Sequence, residues 1–227
     1  MGAGFAGLVA ALRLKKSGRD SFVIFERAAE VGGTWRDNVY PGCACDIASP
    51  LYSFADEQNP QWSKLYSEQP EILEYIKNVV VRNNLYPHIR FGSDVVEARF
   101  LEDKACWLVT DRQGNSTTVS MLLLGMGPLN RINIPAFPGL EYYQGTYFHS
   151  AEWDTSYDIR GKRVAVIGTG ASAIQIVPSI APEVAHLTVL QRTPAWVTPR
   201  HDTRFSRFSR WLFKKIPLLQ RLQREII

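Results

Sequence analysis

The chain has 227 residues, of which 45% are hydrophobic, so it can bury one large core or two small ones. Three cysteines without a dense framework exclude a disulfide-stapled scaffold and indicate a reducing compartment. No run reaches the roughly 18 apolar residues of a membrane span, and the N-terminus carries a glycine motif rather than a signal peptide, so a soluble, cytoplasmic protein is expected. The net charge of +4 comes largely from residues after Pro199 without a recognised motif, so no nucleic-acid partner is predicted.

A glycine-rich turn opens the chain. Gly2, Gly4 and Gly7 have the spacing that permits a tight turn, close approach of backbone to a pyrophosphate and close packing of the next helix. Good helix formers from Ala6 to Lys16 predict that helix, and Gly18 predicts its end. The turn therefore indicates the phosphate-binding start of a nucleotide-binding unit.

A buried strand and a carboxylate complete this first unit. Phe22–Phe25 reads as a parallel strand, and Glu26 at its end can hydrogen-bond the ribose hydroxyls of an adenosine. The alternative is a surface glutamate after an ordinary glycine turn. Only Met1 precedes the first glycine, so the central strand that should feed the turn is missing. We therefore expect either a truncated chain or a late start codon, and weak binding of the cofactor.

A loop at 32–42 carries further glycines. Gly33 lets backbone lie against a flat ligand, and Thr34 and Trp35 offer a hydroxyl and an aromatic plane. Beyond the loop, Cys43 and Cys45 would point to opposite faces if extended, so structural thiols are favoured over a metal site or a disulfide.

The middle of the chain predicts a helix followed by an antiparallel meander. The helix at 67–84 has an apolar stripe at spacing four, and strands are expected at 88–100, 105–111 and 117–124. Val96 in the meander could present backbone groups to an adenine. The last four residues, Met121–Leu124, are apolar throughout, as in a buried parallel strand.

A second nucleotide unit begins near residue 163. Arg163–Ile167 predicts a strand that enters a turn of small residues, with a helix at 171–180 and a strand at 187–190 after it. The candidate cofactor contacts of this unit are the turn residues and two residues after the second strand: Gly168, Thr169, Gly170, Ala171, Ser172, Arg192 and Thr193.

The two units differ in the sign of one charge. Glu26 lies 24 residues after Gly2 (26 − 2), and Arg192 lies 24 residues after Gly168 (192 − 168). A carboxylate suits a free ribose 2′-hydroxyl, whereas a guanidinium can bind a 2′-phosphate through two hydrogen bonds. We therefore expect FAD in the first unit and NADPH rather than NADH in the second. The alternative is that Arg192 is a solvated residue at a strand end.

The linker between the units carries a further pattern. Residues 143–154 read aromatic-x-Gly-x-x-x-His-x-x-x-Trp-Asp, with Tyr143, His149 and Trp153. This pattern resembles the fingerprint of flavin-dependent Baeyer–Villiger monooxygenases, in which Phe is usual at the first position. Tyr40–Asp46 and Leu51–Phe54, which includes Tyr52, are also close to that family.

The resemblance implies an activity. In the family, NADPH reduces FAD, oxygen adds to the reduced flavin, and the flavin peroxide attacks a ketone to give an ester or lactone. It implies that Asp46 and Tyr52 lie on the flavin side, and that Asp46 positions an arginine found beyond residue 227. His149 and Trp153 would couple domain movement to cofactor positioning. The alternatives are a turn-capping Asp46 and ordinary packed loop residues at 149 and 153.

The expected fold is α/β. It has two Rossmann-like units in three layers, with a parallel sheet and an antiparallel meander insert; the second unit is incomplete and a basic helical tail follows. The expected domains are a first part of an FAD-binding domain at 1–135, an NADP-binding part at 136–199 with its linker at 136–160, and the start of a helical insertion at 200–227.

Three alternatives stay open at this stage. The same flavin chemistry could hydroxylate nitrogen or sulfur instead of a ketone. The chain could also be an inactive, cofactor-poor or partner-binding remnant. The basic and apolar residues at 204–227 favour a packed insertion, with peripheral contact to an anionic membrane as the other interpretation.

Overall fold

The computed structural model describes residues 1–194, 196, 198–199 and 201–226. Two compact units are present. The first combines Met1–Asp37 with Leu73–Ile132, and the second combines Asn38–Ile72 with the chain from Asn133 onward. Residues 38–72, expected in the first domain from sequence, thus belong to the second unit.

The first unit has a short parallel pair at its centre. Strand β1 (Ile24–Phe25) pairs with β2 (Ile89–Arg90), with Ile24 opposite Ile89. Around it lie α1 (Phe5–Lys16), α2 (Thr34–Asp37) and most of α3 (Gln69–Arg82). The stripe predicted for the third helix is buried because its spacing places the apolar residues on one face. The fully buried apolar residues here include Leu8, Ala11, Val31, Ile76, Val79, Val80 and Leu85.

The meander follows the predicted order but differs from the prediction in its first and last strands. Strands β3 (Val95–Leu101), β4 (Cys106–Asp111) and β5 (Ser116–Val119) form an antiparallel sheet. The expectation of one continuous strand over 88–100 is wrong. Gly92 has a φ of +66°, a left-handed conformation that interrupts an extended strand, so β2 and β3 lie in separate sheets.

The expected buried strand at Met121–Leu124 is also wrong. Met121 is 74% exposed and Leu124 is 64% exposed, and neither belongs to a strand. The Met1 amino group donates to Leu123 O at 2.7 Å, and Gly125 N donates to Met1 O at 2.9 Å. Met1 thus holds this segment by backbone hydrogen bonds on either side of Leu124, and the side chains of Met121, Leu123 and Leu124 remain exposed.

The second unit contains the other parallel pair. Strand β6 (Arg163–Ile167) pairs with β7 (His186–Leu190) along its whole length, and α4 (Ala173–Ile180) connects them. Helix α4 begins two residues later than predicted. Its apolar side is held by Ile176 and Ile180, which are both buried.

Two short helices form the basic tail. Helix α5 (Arg207–Lys215) and helix α6 (Pro217–Ile226) are separated at Ile216, because proline cannot continue the hydrogen bonding of the preceding helix. The inner side of α6 is polar: Gln220 Nε2 donates to Asn59 O at 2.6 Å and Arg224 Nη1 donates to Pro50 O at 2.7 Å. In the part of the chain that the structure describes, no helix combines the length and apolar character needed to cross a membrane.

Candidate dinucleotide-binding sites

The first glycine turn is shaped by backbone contacts. Gly2 has a φ of +91°, and a Cβ there would come within 2.6 Å of Gly125 O. A Cβ on Gly7 would overlap the carbonyl oxygen of Gly2. A Cβ on Gly33 would lie 3.2 Å from Gly4 Cα, so the predicted loop glycine faces the turn. A side chain at Gly2 or Gly7 would therefore meet protein backbone, so only glycine allows this tight turn, and a tight glycine turn is what the predicted pyrophosphate site uses.

Glu26 lies beside this turn and is 5% exposed. Its Oε2 accepts from Ala3 N within the turn at 2.7 Å, and its Oε1 accepts from Ala28 N at 2.9 Å. Arg36 Nη1 lies 3.1 Å from Oε1 and forms an ion pair with it. A carboxylate has about four acceptor positions, so Oε2 keeps capacity for a ligand hydroxyl.

Arg36 is a residue that sequence reasoning missed. It belongs to the loop singled out for Thr34 and Trp35, but nothing in its spacing distinguished it. Burial acts to lower the pKa of its guanidinium, but hydrogen bonds and charge from Asp37 and Glu26 raise that pKa overall. Thr34 is exposed, whereas Trp35 is buried and offers little of its ring to a ligand in this conformation.

The remaining predicted flavin contacts are not gathered in one unit. Val96 is 55% exposed on β3 of the first unit. Asp46 and Tyr52 belong to the second unit, where Asp46 is exposed and Tyr52 half-buried. Within the residues described, Asp46 has no hydrogen bond, and its charge acts on the nearby Tyr40.

The second glycine turn is more open than the first. Gly168 has a φ of +109°, and a Cβ on either Gly168 or Gly170 would meet no atom within 4 Å. Gly170 and Ala171 are exposed, and Thr169 and Ser172 are half-buried. The backbone of this turn can therefore be approached by a ligand. Arg192 and Thr193 follow β7 and are both exposed.

Backbone hydrogen bonds correct the sequence alignment of the two units. Gly2 N donates to Phe25 O at 2.8 Å, and Gly168 N donates to Leu190 O at 2.8 Å. Phe25 and Leu190 are therefore equivalent, and the residue equivalent to Glu26 is Gln191 rather than Arg192. The second unit has one residue fewer between its turn and its strand end. Its first residue after the strand is thus neutral, and the guanidinium comes one residue later.

A contact that sequence reasoning did not find joins Tyr40 to the second turn. Its hydroxyl lies 3.3 Å from Gln175 Oε1 and hydrogen-bonds the Ser172 side chain. The pKa of Tyr40 is raised to about 12, chiefly by burial; the Ser172 hydrogen bond opposes this, and Cys43 and the charge of Asp46 add to it. Burial also raises the pKa of the Cys43 thiol, and Cys43 and Cys45 are both buried and form no disulfide.

The two linker residues lie near each other but hold separate contacts. His149 Nδ1 accepts from Ala151 N at 3.1 Å and caps a short turn at Ser150–Glu152. The neutral imidazole therefore carries its proton on Nε2, which can donate to a ligand. Trp153 packs edge-on against Phe148, with 5.1 Å between ring centroids.

This chain is similar to known proteins over nearly its whole length. The model of the family described as flavin-binding monooxygenase-like matches residues 1–214. A Baeyer–Villiger monooxygenase from Streptomyces coelicolor is 47% identical over 227 residues, covering 100% of this chain and 44% of the relative. A Baeyer–Villiger monooxygenase from Pseudomonas aeruginosa is 46% identical over 224 residues, covering 99% of this chain and 42% of the relative.

The solved structures to which this chain is similar are also monooxygenases. Cyclohexanone monooxygenase from Rhodococcus sp. Phi1, bound to NADP+, superposes with a TM-score of 0.86 at 38% identity, covering 94% of this chain and 41% of that one. An oxidised steroid monooxygenase bound to NADP gives a TM-score of 0.85 at 38% identity, with 94% and 42% covered. The chain thus spans less than half the length of these proteins. Its fold is the Rossmann-like α/β fold of flavin monooxygenases, and the chain belongs to the flavin-binding monooxygenase-like family.

Proposed function

We propose that this chain binds FAD at its first glycine turn and NADPH at its second, and that it serves a Baeyer–Villiger oxidation. One observation carries the proposal. Each glycine turn is hydrogen-bonded to the end of a parallel strand, which is followed directly by the carboxylate of Glu26 in one unit and by the neutral Gln191 and then Arg192 in the other. The names of its relatives, which include Baeyer–Villiger monooxygenases, support the same activity.

The first turn would hold the pyrophosphate of FAD. Gly2, Gly4, Gly7 and Gly33 allow the close backbone packing of this turn, and Glu26 would accept hydrogen bonds from the adenosine ribose through Oε2. Thr34, Trp35, Asp46, Tyr52 and Val96 remain the predicted contacts with the rest of FAD. When bound, FAD supplies the electron transfer and oxygen activation that no protein side chain provides.

The second turn would hold NADPH. The exposed backbone at 168–172 would bind the pyrophosphate, and Arg192 would bind the 2′-phosphate through its two parallel N–H groups, with Thr193 beside it. The neutral Gln191 at the position equivalent to Glu26 supports this choice, because no carboxylate there repels the phosphate.

The proposed reaction consumes one ketone, one O2, one NADPH and one proton. One oxygen atom enters the bond between the carbonyl carbon and its neighbour to give an ester or lactone, and the other leaves as water. Asp46 would act electrostatically by positioning a cation near the developing negative charge. His149 would donate through Nε2–H to the nicotinamide cofactor, and Trp153 would hold that segment through Phe148.

Anaerobic reduction tests this function directly. Purified protein reconstituted with FAD is mixed with NADPH or NADH without oxygen, and bleaching of the flavin absorbance is followed. We expect NADPH to bleach it at least tenfold faster, and ketones to yield esters once oxygen is admitted. Oxidation of amines or sulfides alone would move the assignment to heteroatom hydroxylation. A protein that takes up no flavin would overturn the proposal.

The tail is proposed to be a packed insertion, because Gln220 and Arg224 bond carbonyls of the same unit. The membrane interpretation has its own support: Phe208 and Trp211 are 69% and 53% exposed among basic residues. Sedimentation with vesicles of anionic lipid distinguishes the two interpretations. A packed insertion predicts that the amount of protein sedimented does not depend on lipid charge.

A further inference from the structure

Gln175 makes a pair of hydrogen bonds that its position on a helix does not require. Its Nε2 donates to Ala44 O at 3.0 Å, and its Oε1 accepts from Ala44 N at 3.1 Å. The side-chain amide thus bonds both backbone groups of one residue, as a neighbouring strand would. Ala44 is buried and lies two residues before Asp46.

The same amide is linked to the second glycine turn. Tyr40 OH donates to Gln175 Oε1 at 3.3 Å and is hydrogen-bonded by Ser172, the turn residue that precedes α4. All of these residues belong to the second unit. A continuous set of hydrogen bonds therefore runs from the turn through Tyr40 and Gln175 to Ala44.

Close packing fixes the loop at the same place. Gly42 has a φ of +77°, and a Cβ there would overlap Ser179 Oγ and lie 2.7 Å from Gln175 O. The other side of the loop is held by backbone bonds, Cys45 N to Ser67 O at 3.0 Å and Gln69 N to Cys43 O at 2.8 Å. The loop is thus held by helix α4 on one side and by residues 67–69 on the other. Of the two, only α4 begins at a glycine turn.

We propose that Gln175 is a positioning residue that couples occupation of the second glycine turn to the placement of Asp46. Its two hydrogen bonds to Ala44 fix the position of this loop, which carries Asp46, against helix α4. Tyr40 hydrogen-bonds both Ser172 and Gln175, so a movement of Ser172 would reach the same amide. The inference rests on the proposed function in assigning a nicotinamide dinucleotide to that turn and an electrostatic role to Asp46.

Hydrogen exchange at the Ala44 amide tests the coupling without any reaction. Gln175→Leu keeps the side-chain size and removes both hydrogen bonds, so we expect Ala44 to exchange at least tenfold faster. Addition of NADP+ should slow this exchange in the unaltered protein and leave Gln175→Leu unaffected. Gln113→Leu is the matched control, because it makes the same change at an exposed turn of the meander. Unchanged exchange in Gln175→Leu would overturn the proposal.

A second variant guards against a simple packing effect. A protonated glutamate at 175 has one donor and one acceptor, like the amide, whereas a carboxylate would face Ala44 O with no proton to donate. After correction for intrinsic exchange, Ala44 in Gln175→Glu should become more protected as the pH falls, and in Gln175→Leu it should not. Tyr40, Cys43 and Asp46 also face this region, but they are common to both variants and cancel in the comparison. Equal pH behaviour of the two variants would count against positioning.

Turnover completes the test in the FAD-loaded protein. Displacement of Asp46 should lower the ester formed per NADPH at least threefold in Gln175→Leu, with more hydrogen peroxide released and NADP+ affinity within about threefold. If the unaltered protein binds neither cofactor, the proposed function fails instead, and the exchange measurement without cofactor still reports on the Gln175 contacts. Normal ester yield in Gln175→Leu would refute the role given to this residue.

Discussion

The two glycine turns place their charged partners in contrasting settings. Glu26 is 5% exposed and holds two backbone N–H groups and the guanidinium of Arg36. Arg192 is exposed, and the described part of the chain offers it neither a hydrogen bond nor an ion pair. The first charge is thus satisfied within the fold, whereas the second is exposed where a ligand can reach it.

This difference means that Glu26 mainly affects the stability of the fold, whereas Arg192 mainly affects which dinucleotide is bound. Removal of a buried, hydrogen-bonded carboxylate leaves its donors unsatisfied, so the first site cannot change its ligand without loss of folding free energy. An exposed guanidinium can be exchanged at little expense to the fold. We therefore expect the dinucleotide preference of the second unit to be easier to alter than that of the first.

The largest expected effect is that of Glu26→Ala. Ala3 N, Ala28 N and Arg36 would lose a buried acceptor, which should lower the free energy of unfolding by about 4 kcal/mol. Arg192→Ala should change the free energy of unfolding by no more than about 0.5 kcal/mol. Urea unfolding followed by circular dichroism measures both, and similar losses in the two variants would erase the contrast.

Gly7→Ala should come next. Its Cβ would overlap the backbone oxygen of Gly2, and the resulting strain should lower the free energy of unfolding by about 3 kcal/mol. Gly170→Ala is the matched change in the open second turn and should stay within about 0.5 kcal/mol. Thermal unfolding compares the two; a tolerant Gly7 would mean that the first turn is no more constrained than the second.

Arg192→Ala should act on nucleotide choice. Loss of the two-pronged contact with a 2′-phosphate should reduce the ratio of NADP+ to NAD+ affinity by roughly 30-fold, or about 2 kcal/mol. Gln191→Ala, one residue earlier, should leave that ratio near its original value. Calorimetric titration with both nucleotides gives the ratios. A shift caused by Gln191 instead would place the specificity at the position equivalent to Glu26.

Tyr40→Phe should give the smallest effect and depends on pH. The pKa of Tyr40 is about 12 in the folded chain, against an ordinary value of 10, so the folded state retains the proton more strongly. The stabilisation that this raised pKa adds to the free energy of unfolding is complete below pH 10 and is lost as the pH rises through 12. We expect the unaltered protein to lose about 1 to 2 kcal/mol more than Tyr40→Phe between these limits. Parallel alkaline unfolding curves would show that this hydroxyl is not held as described.

Local patterns predicted the regular elements well. The residues of β6 follow from a run of strand-forming apolar residues, and the apolar stripe of α3 follows from its helical spacing and is buried on one face. The glycine turns were found for the same reason, because backbone conformation at Gly2 and Gly168 requires glycine locally.

Contacts between distant residues could not be predicted in this way. Met121–Leu124 reads as a buried strand, but burial depends on a neighbour that the segment itself does not specify. Arg36 and Gln175 carry no spacing signal, since their partners Glu26 and Ala44 are 10 and 131 residues away. The alignment of Glu26 with Arg192 failed by one residue because counting along the chain ignores loop length, which only the backbone hydrogen bonds reveal.

The exposed segment Met121–Leu124 has a practical consequence. Met121, Leu123 and Leu124 expose apolar side chains within four residues of one another, so an apolar surface of another molecule can bury them. Purified chain should therefore self-associate at high concentration and stay dispersed when dilute. A short apolar peptide should compete for the same residues and keep the preparation in solution.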